Sequence, residues 1–424
     1  MKKIIRRSFT IFICMLVLVA SVISVSYIGS SQDTSSEVHT VIKDNVGSDV
    51  SNSSQVTLSQ TDDSDSSEKS AQKINYKKNM KGIWIPCMSL QLSAEEQTES
   101  GFRHKIETII KKCTEQKINT VIVQVRPFGD AIYPSEYYPW SHILTGTQGK
   151  ALDFDPLEYI IDCAHKNKLS FHAWINPLRI STGSIPDKLS ENNPYIIWKN
   201  DSDKENDLFT FRCGDGIYYD PSFPEVRKLI IDGVKELARK YDIDGIQIDD
   251  YFYPSDEADL DKQSYSMYLK SISDNCTPLS LSDWRKNNIN MLISGIYSSL
   301  HSQNENLVFG IAPQGNFDNN EKMCADVKSW STYKGFADYI CPQLYVSNEH
   351  PIFPFKELAD EWRKYISCDD TKLYYGLALY KVGTDSDEGT WLNDSSIIQN
   401  QIEYAEKSGA DGYILYSYEY IDML

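Results

Sequence analysis

From Lys81 onward, short apolar runs alternate with amphipathic stretches. The runs are GIWIPC (82–87), NTVIVQVRP (119–127), LSFHAWINP (169–177), IDGIQIDD (243–250), LVFGIAP (307–313), ADYICPQLY (337–345), KLYYGLALY (372–380) and DGYILYS (411–417). Helical periodicity occupies 101–117, 155–167, 222–241, 281–302, 321–334, 355–366 and 396–408. Strands alternating with helices require crossovers and a parallel sheet, and eight such units predict an α/β fold, a closed (β/α)8 TIM barrel. Two helix starts fix the register. Asp155 caps a helix opening with Pro156 and carrying Glu158, and Ser222 repeats the scheme ahead of Pro224 and Glu225. The few residues after the eighth run leave no room for a full eighth helix, so that side is expected to be covered by residues 60–80 or left open.

The first 79 residues break the pattern. MKKIIRRS is basic, and an uncharged apolar run of about 20 residues follows it, so 1–28 reads as a signal sequence or membrane anchor with its N-terminus inside. No clean cleavage site follows it, and cleaved leader and retained anchor both stay open. Residues 29–79 are rich in Ser, Asp, Thr and Gln with almost no aromatics. Such a segment cannot bury enough apolar surface to offset its ordering entropy, which predicts a disordered tether before a catalytic domain over 80–424. The expected location is extracytoplasmic, at the cell surface or secreted, with membrane contact only through the N-terminal segment.

The formal net charge of −18 argues against nucleic acid and anionic lipid as ligands, and a neutral substrate is easier to accommodate. Nine cysteines include no C-x-x-C pair. Cys87 and Cys341 fall in strand-like runs and Cys113 and Cys163 in helix-like ones, so buried thiols are favoured over disulfides. The seven histidines show no His-Glu-x-x-His and no ligand spacing, and no metal or cofactor is expected.

Barrel enzymes place their chemistry at the C-terminal ends of the strands. Alternation turns Ile246 and Ile248 outward and Gln247 and Asp249 inward on the fourth strand. The same reasoning sends Gln124 and Arg126 inward on the second, His172, Trp174 and Asn176 on the third, Gln343 and Tyr345 on the sixth, and Trp84 on the first. A rim of amides, arginine and aromatics around a carboxylate suits a sugar: polar groups bond hydroxyls and ring faces cover the apolar side of a pyranose. Taken singly, each position also fits a purely structural role.

Asp249 and Asp250 stand side by side where the fourth strand stops. As structural residues, Asp249 would pair with Arg126 and Asp250 would cap a loop. Adjacent carboxylates repel, however, and readily hold one proton between them, which is how a general acid is prepared at neutral pH. Ordinary glycosidase pairs stand on separate strands. Neighbours on one strand suit substrate-assisted hydrolysis of N-acetylated sugars, with Asp250 as general acid/base and Asp249 steering the acetamido group or acting as nucleophile.

The segments KGIWIP, VQVRPFGDAIYPSEYYPWSHILTGTQG, FDPLEYIIDCAHKNKLSFHAWINPLR, YYDPSFPEVR, YDIDGIQIDDYFYP, FGIAPQGN, DYICPQLY and GADGYILYSY, in this order, carry a resemblance. Over about 80–420 the chain resembles the glycosyl-hydrolase-like family 10 proteins, exported (β/α)8 enzymes related to bacterial peptidoglycan glycosidases. The resemblance implies hydrolysis of bacterial glycan strands, with DDYFYP, and so Asp249, Asp250 and Tyr251, in the cleft. A chitinase would carry D-G-x-D-x-D-x-E on this strand, and Tyr251 stands at its last acidic place. Gln314 and Asn316 in APQGN are less typical, and Glu419 is the fallback second carboxylate. The insertion from Asp130 to Lys150, with Trp140, is read as a cleft wall or a structural loop.

The expectation is a glycosidase acting on peptidoglycan or a related N-acetylated glycan. Arg126, His172, Asn176 and Gln343 would bind hydroxyls, Trp84, Trp174, Tyr251 and Tyr345 would stack or shape subsites, and Gln124 would bind substrate with them. Its rivals are a hydrolase of another surface or dietary polysaccharide and a catalytically silent glycan-binding barrel.

Overall fold

The computed structural model describes residues 79–424; the segment expected over 1–28, and all but the last residue of the tether expected over 29–79, lie outside the described residues. Eight strands form a closed barrel: β1 (Met80–Ile85), β2 (Thr120–Arg126), β3 (Ser170–Ile175), β4 (Gly245–Ile248), β5 (Val308–Ile311), β6 (Tyr339–Ile340), β7 (Lys372–Ala378) and β8 (Gly412–Tyr416). Each pairs in parallel with its neighbours in chain order, and β8 closes on β1 through Gly82↔Ile414. The expected TIM barrel is therefore the fold. β6 is shorter than its apolar run, because Pro342 has no N–H to donate; Gln343 rejoins the sheet by isolated bridges to Gln314 and Gly376.

Alternation divides the core as the period of two requires. Ile83, Val121, Val123, Phe171, Ala173, Ile246, Ile248 and Leu344 face the surrounding helices. Met80, Trp84, Ile122, Trp174, Val308, Tyr339, Cys341, Tyr374 and Ile414 fill the barrel interior. Gly310 is indispensable there, because a Cβ on it would lie 1.9 Å from Cζ of Tyr339.

The helices Glu99–Glu115, Pro156–Lys166, Leu281–Gln303, Phe355–Tyr365 and Ile397–Ser408 fall where the periodicity placed them. Asp155 caps its helix, accepting from the backbone N–H of Leu157 at 3.0 Å and of Glu158 at 3.3 Å. The Ser222 cap does not form: the helix Pro224–Lys240 has Phe223 at that place, and Asp220 organises the turn by accepting from the Ser222 N–H at 2.9 Å. The helix expected over 321–334 is two short ones, Phe317–Lys322 and Val327–Thr332, separated at Cys324, whose φ is +56°. After β8 the chain makes a 3₁₀ turn, Tyr418–Met423, which buries Ile421 and pairs Asp422 with Lys112 of the first helix at 2.6 Å. Among the described residues this turn takes the place where an eighth helix would begin.

Between β3 and the helix Pro224–Lys240 lies a small antiparallel sheet absent from the sequence reading. It orders Arg179–Ser181, Gly216–Tyr219 and Thr210–Cys213. The eight described cysteines are free thiols and six are buried, which fits their reading as small hydrophobes.

Candidate active site

β4 ends at Ile248, and the chain then bends, with the Phe252 N–H bonding the Asp250 carbonyl at 3.0 Å. Continued extension would have sent Asp249 and Asp250 to opposite faces; the bend lets both carboxylates meet inward-facing amides. The residues after them anchor the bend. Phe252 packs on Trp330 with centroids 5.0 Å apart, and Tyr253 lies over Arg285 at 5.0 Å, with its N–H on the Met323 carbonyl at 3.1 Å. That accounts for the aromatic tail of DDYFYP.

Each acid has its own holders. Asp249 Oδ2 accepts from Asn176 Nδ2 at 2.5 Å and from Trp174 Nε1 at 3.1 Å. Gln124 supports Asn176 from behind, donating to its Oδ1 at 2.7 Å while accepting from the Cys87 N–H at 2.9 Å. Asp250 is held through both oxygens, Oδ1 by Gln343 Nε2 at 2.8 Å and Oδ2 by Gln314 Nε2. Four strands thus converge on one acidic pair, and Gln314, set aside in the sequence as atypical, is a direct partner.

Burial, and next the Asp250 charge, push Asp249 up to about 7, against a pull downward from Arg179 and Asn176. Burial raises Asp250 too, but the amides of Gln343 and Gln314 favour its charged form. Asp249 keeps one oxygen, Oδ1, whose only bond among the described residues is a 3.5 Å contact from the Tyr251 N–H. The pair is 5 % and 6 % exposed and directed away from the outer helices, and Tyr251 beside it is 48 % exposed.

Two predicted rim residues belong to a deeper layer. Trp84 Nε1 donates to Gln247 Oε1 at 2.5 Å, Gln247 Nε2 donates to the Tyr339 hydroxyl at 3.1 Å, and His172 Nδ1 lies 3.0 Å from that same hydroxyl. Trp84 and His172 are therefore buried in the barrel core and bond neither acid; His172 sits before Trp174 and Asn176 on its own strand, and the Trp84 ring packs 6.0 Å from Tyr416. Arg126 is a third correction. A bulge between Gln124 and Arg126 breaks the alternation of β2, and Arg126 ends 2 % exposed with its guanidinium 4.5 Å from the Tyr138 ring centroid. It pairs with no carboxylate among the described residues, so the structural pairing of Arg126 with Asp249 also fails.

The mouth has two aromatic walls. On one side Arg179 lies 4.8 Å from the ring centroids of both Phe128 and Tyr251. On the other, Tyr345, Tyr380 and Tyr416 form a triangle with every centroid separation 5.9 Å. Tyr251 and Tyr345 stand where they were expected; Phe128, Arg179, Tyr380 and Tyr416 were missed, although PLR follows Asn176 directly. Glu419 is exposed in the 3₁₀ turn Tyr418–Met423 that follows Tyr416, and among the described residues it bonds neither acid. The Asp130–Lys150 insertion is held within itself by Asp130 Oδ2, which bonds His142 and Gln148, each at 3.0 Å. It is tied to the body by Ser135 Oγ donating to Glu236 at 2.5 Å, by Asn193 Nδ2 donating to Gln148 Oε1 at 3.2 Å, and by Trp140, packed half-buried against the outer core. A groove of about 240 Å³ lined by Glu99, Arg103, Glu158 and Tyr159 lies among the outer helices and contains none of these residues.

A family model described as glycosyl hydrolase-like 10 matches residues 79–393. The chain is 33% identical over 337 residues to the glycosyl hydrolase YngK of Bacillus subtilis (strain 168), an alignment covering 73% of this chain and 62% of that protein. It is 30% identical over 377 residues to the glycosyl hydrolase DigH of Escherichia coli (strain K12), covering 81% of this chain and 84% of that one. It thus spans less than two thirds of the Bacillus relative's length. The solved glycoside hydrolase domain of PgaB (BpsB) from Bordetella bronchiseptica has a TM-score of 0.56 at 13% identity, over 81% of this chain and 95% of that domain, a likeness of fold. The chain belongs to the glycosyl hydrolase-like 10 family, as its motifs led us to expect.

Proposed function

From that membership we propose that the protein is a glycoside hydrolase of polysaccharide, and more narrowly that it cleaves bacterial cell-wall glycan, peptidoglycan or a related N-acetylated polymer. The observation that carries the reading is the adjacent acid pair, held by four side-chain donors between two aromatic walls. One proton on two neighbouring acids supplies a donor and a charged partner together.

The resting geometry distributes the roles the other way from the sequence expectation. Asp250, with an amide on each oxygen, is the better anion, and Asp249, with Oδ1 nearly free, is the better proton carrier. In the proposed reaction Asp249 gives its proton to the glycosidic oxygen as the bond to the anomeric carbon breaks. The substrate's acetamido oxygen forms the new bond to that carbon, steered by Asp250 accepting from the acetamido N–H. Water then opens the cyclic intermediate and returns its proton to Asp249. The aromatic walls would cover the apolar ring faces. The basic, apolar N-terminal segment supports an exported, surface-tethered enzyme.

The test compares purified N-acetylated glycan strands with an aryl N-acetylglucosaminide whose leaving group needs no proton. Asp249→Asn should lose the glycan activity while keeping the aryl activity, and Asp250→Asn should lose both. The reverse pattern would restore Asp250 as the acid, and absence of any glycan cleavage by the natural protein would overturn the hydrolase reading.

A further inference from the structure

Arg179 opens the small antiparallel sheet, three residues beyond Asn176. Its Nε donates to the Pro127 carbonyl at 2.8 Å, and the rings of Phe128 and Tyr251 lie against its guanidinium. A backbone carbonyl and two rings therefore fix the group, while Nη1 and Nη2 make no hydrogen bond or ion pair among the described residues. The side chain is half-buried beside the 48 % exposed Tyr251, and its charge acts on both acids of the pair. It lies at the mouth with its fork unused.

Arg126 also lacks a carboxylate but is shut in beneath Tyr138, whereas other cations of the barrel are paired. Buried Arg285 grips Asp261 through two nitrogens, at 2.8 and 2.6 Å, and Lys381, the cation beside Tyr345, is taken up by the Tyr345 carbonyl at 2.7 Å and by Asp387 at 3.5 Å. Arg179 has no such partner, yet it is held more rigidly than a solvated surface arginine. A guanidinium immobilised in advance with two parallel N–H donors free is the standard receptor for a carboxylate, because little side-chain entropy remains to be lost on binding.

We propose that Arg179 receives a carboxylate of the substrate, so that the glycan taken at this mouth carries an acidic sugar beside the bond to be cut. The proposal rests on the glycoside hydrolase reading and narrows it, replacing the neutral substrate expected from net charge. The acidic sugar brings its carboxylate either as an ether-linked side arm on an amino sugar or as a uronic acid; the recognised chemistry is the same.

The experiment measures kcat/KM on matched oligosaccharides of both kinds, each with its carboxylates intact or chemically reduced to alcohols, for the natural protein, Arg179→Lys and Arg179→Gln. The natural protein should favour the carboxylated form of one kind by about tenfold or more, and the favoured kind names the source. Arg179→Gln should bring that ratio close to one by losing mainly the carboxylated substrate, and Arg179→Lys, a charge without the fork, should fall between. Equal cleavage of intact and reduced glycans by the natural protein would overturn the proposal. So would an Arg179→Gln variant of unaltered Tm that loses both substrates equally, since its role would then be confined to the acid pair. Failure of the natural protein to cut any of the glycans would overturn the hydrolase reading itself, and the receptor with it.

Discussion

Two sets of polar side chains point into this barrel, built from similar residues yet different in what they can do. The deeper one, Trp84, Gln247, Tyr339 and His172, contains no carboxylate and is linked by hydrogen bonds among its own members. The one at the mouth, Trp174, Asn176, Gln314 and Gln343, spends its donors on two carboxylates whose protonation burial has shifted. The first set holds no acid and fixes the core. The second stores repulsion at a place a ligand can relieve it, which is what separates a site from a polar core.

The widest separation between the two should come from the acids. Asp249→Asn and Asp250→Asn are each expected to lower glycan hydrolysis by about a thousandfold or more. Asp249→Asn should also stabilise the protein at high pH. The folded state holds the Asp249 proton up to about 7, against an ordinary value of 3.8. Native stability therefore falls as pH rises from about 4 to about 7 and stays lowered above that. Thermal denaturation at pH 8 should give the variant the higher Tm, by about 2 °C or more, with the advantage gone at pH 4.

In the deeper set the expected losses are of stability. Gly310→Ala drives a Cβ into the Tyr339 ring and should cost about 3 kcal/mol in a denaturant titration. Gln247→Ala leaves the Trp84 indole N–H and the Tyr339 hydroxyl short of a partner and should cost about 2 kcal/mol, with KM changed little. A loss of activity without loss of stability in that variant would erase the distinction between the two sets.

The smallest effect tests how finely the mouth is tuned. Gln314→Ala removes a donor that favours charged Asp250, so it should lower kcat about tenfold and move the acidic limb of the pH profile upward. A downward move would contradict the assignment of Asp250 as the anion.

Strand alternation made the barrel and the inward set legible, because a period of two survives in eight separate runs. It reports which way a side chain faces and says nothing of how deep it lies, so Trp84 and His172 were placed at the rim with Trp174 and Asn176. It also fails where the backbone leaves the period: at the β2 bulge, which carried Arg126 under Tyr138, and at the bend after Ile248, which alone lets Asp250 join Asp249. The sheet bearing Arg179 was invisible because its strands span three or four residues, too few for a pattern. Phe128 and Tyr251 meet across that sheet's first residue, and nothing in their spacing announces it.

The central claim is that two neighbouring aspartates share one proton near neutrality. Carbon NMR of protein labelled at the aspartate carboxyl tests it directly. The account predicts a coupled pair of signals, one step of which lies near pH 7, lost in Asp249→Asn while the partner signal then titrates alone at lower pH. Two carboxyls that both ionise near pH 4 in the natural protein would contradict it.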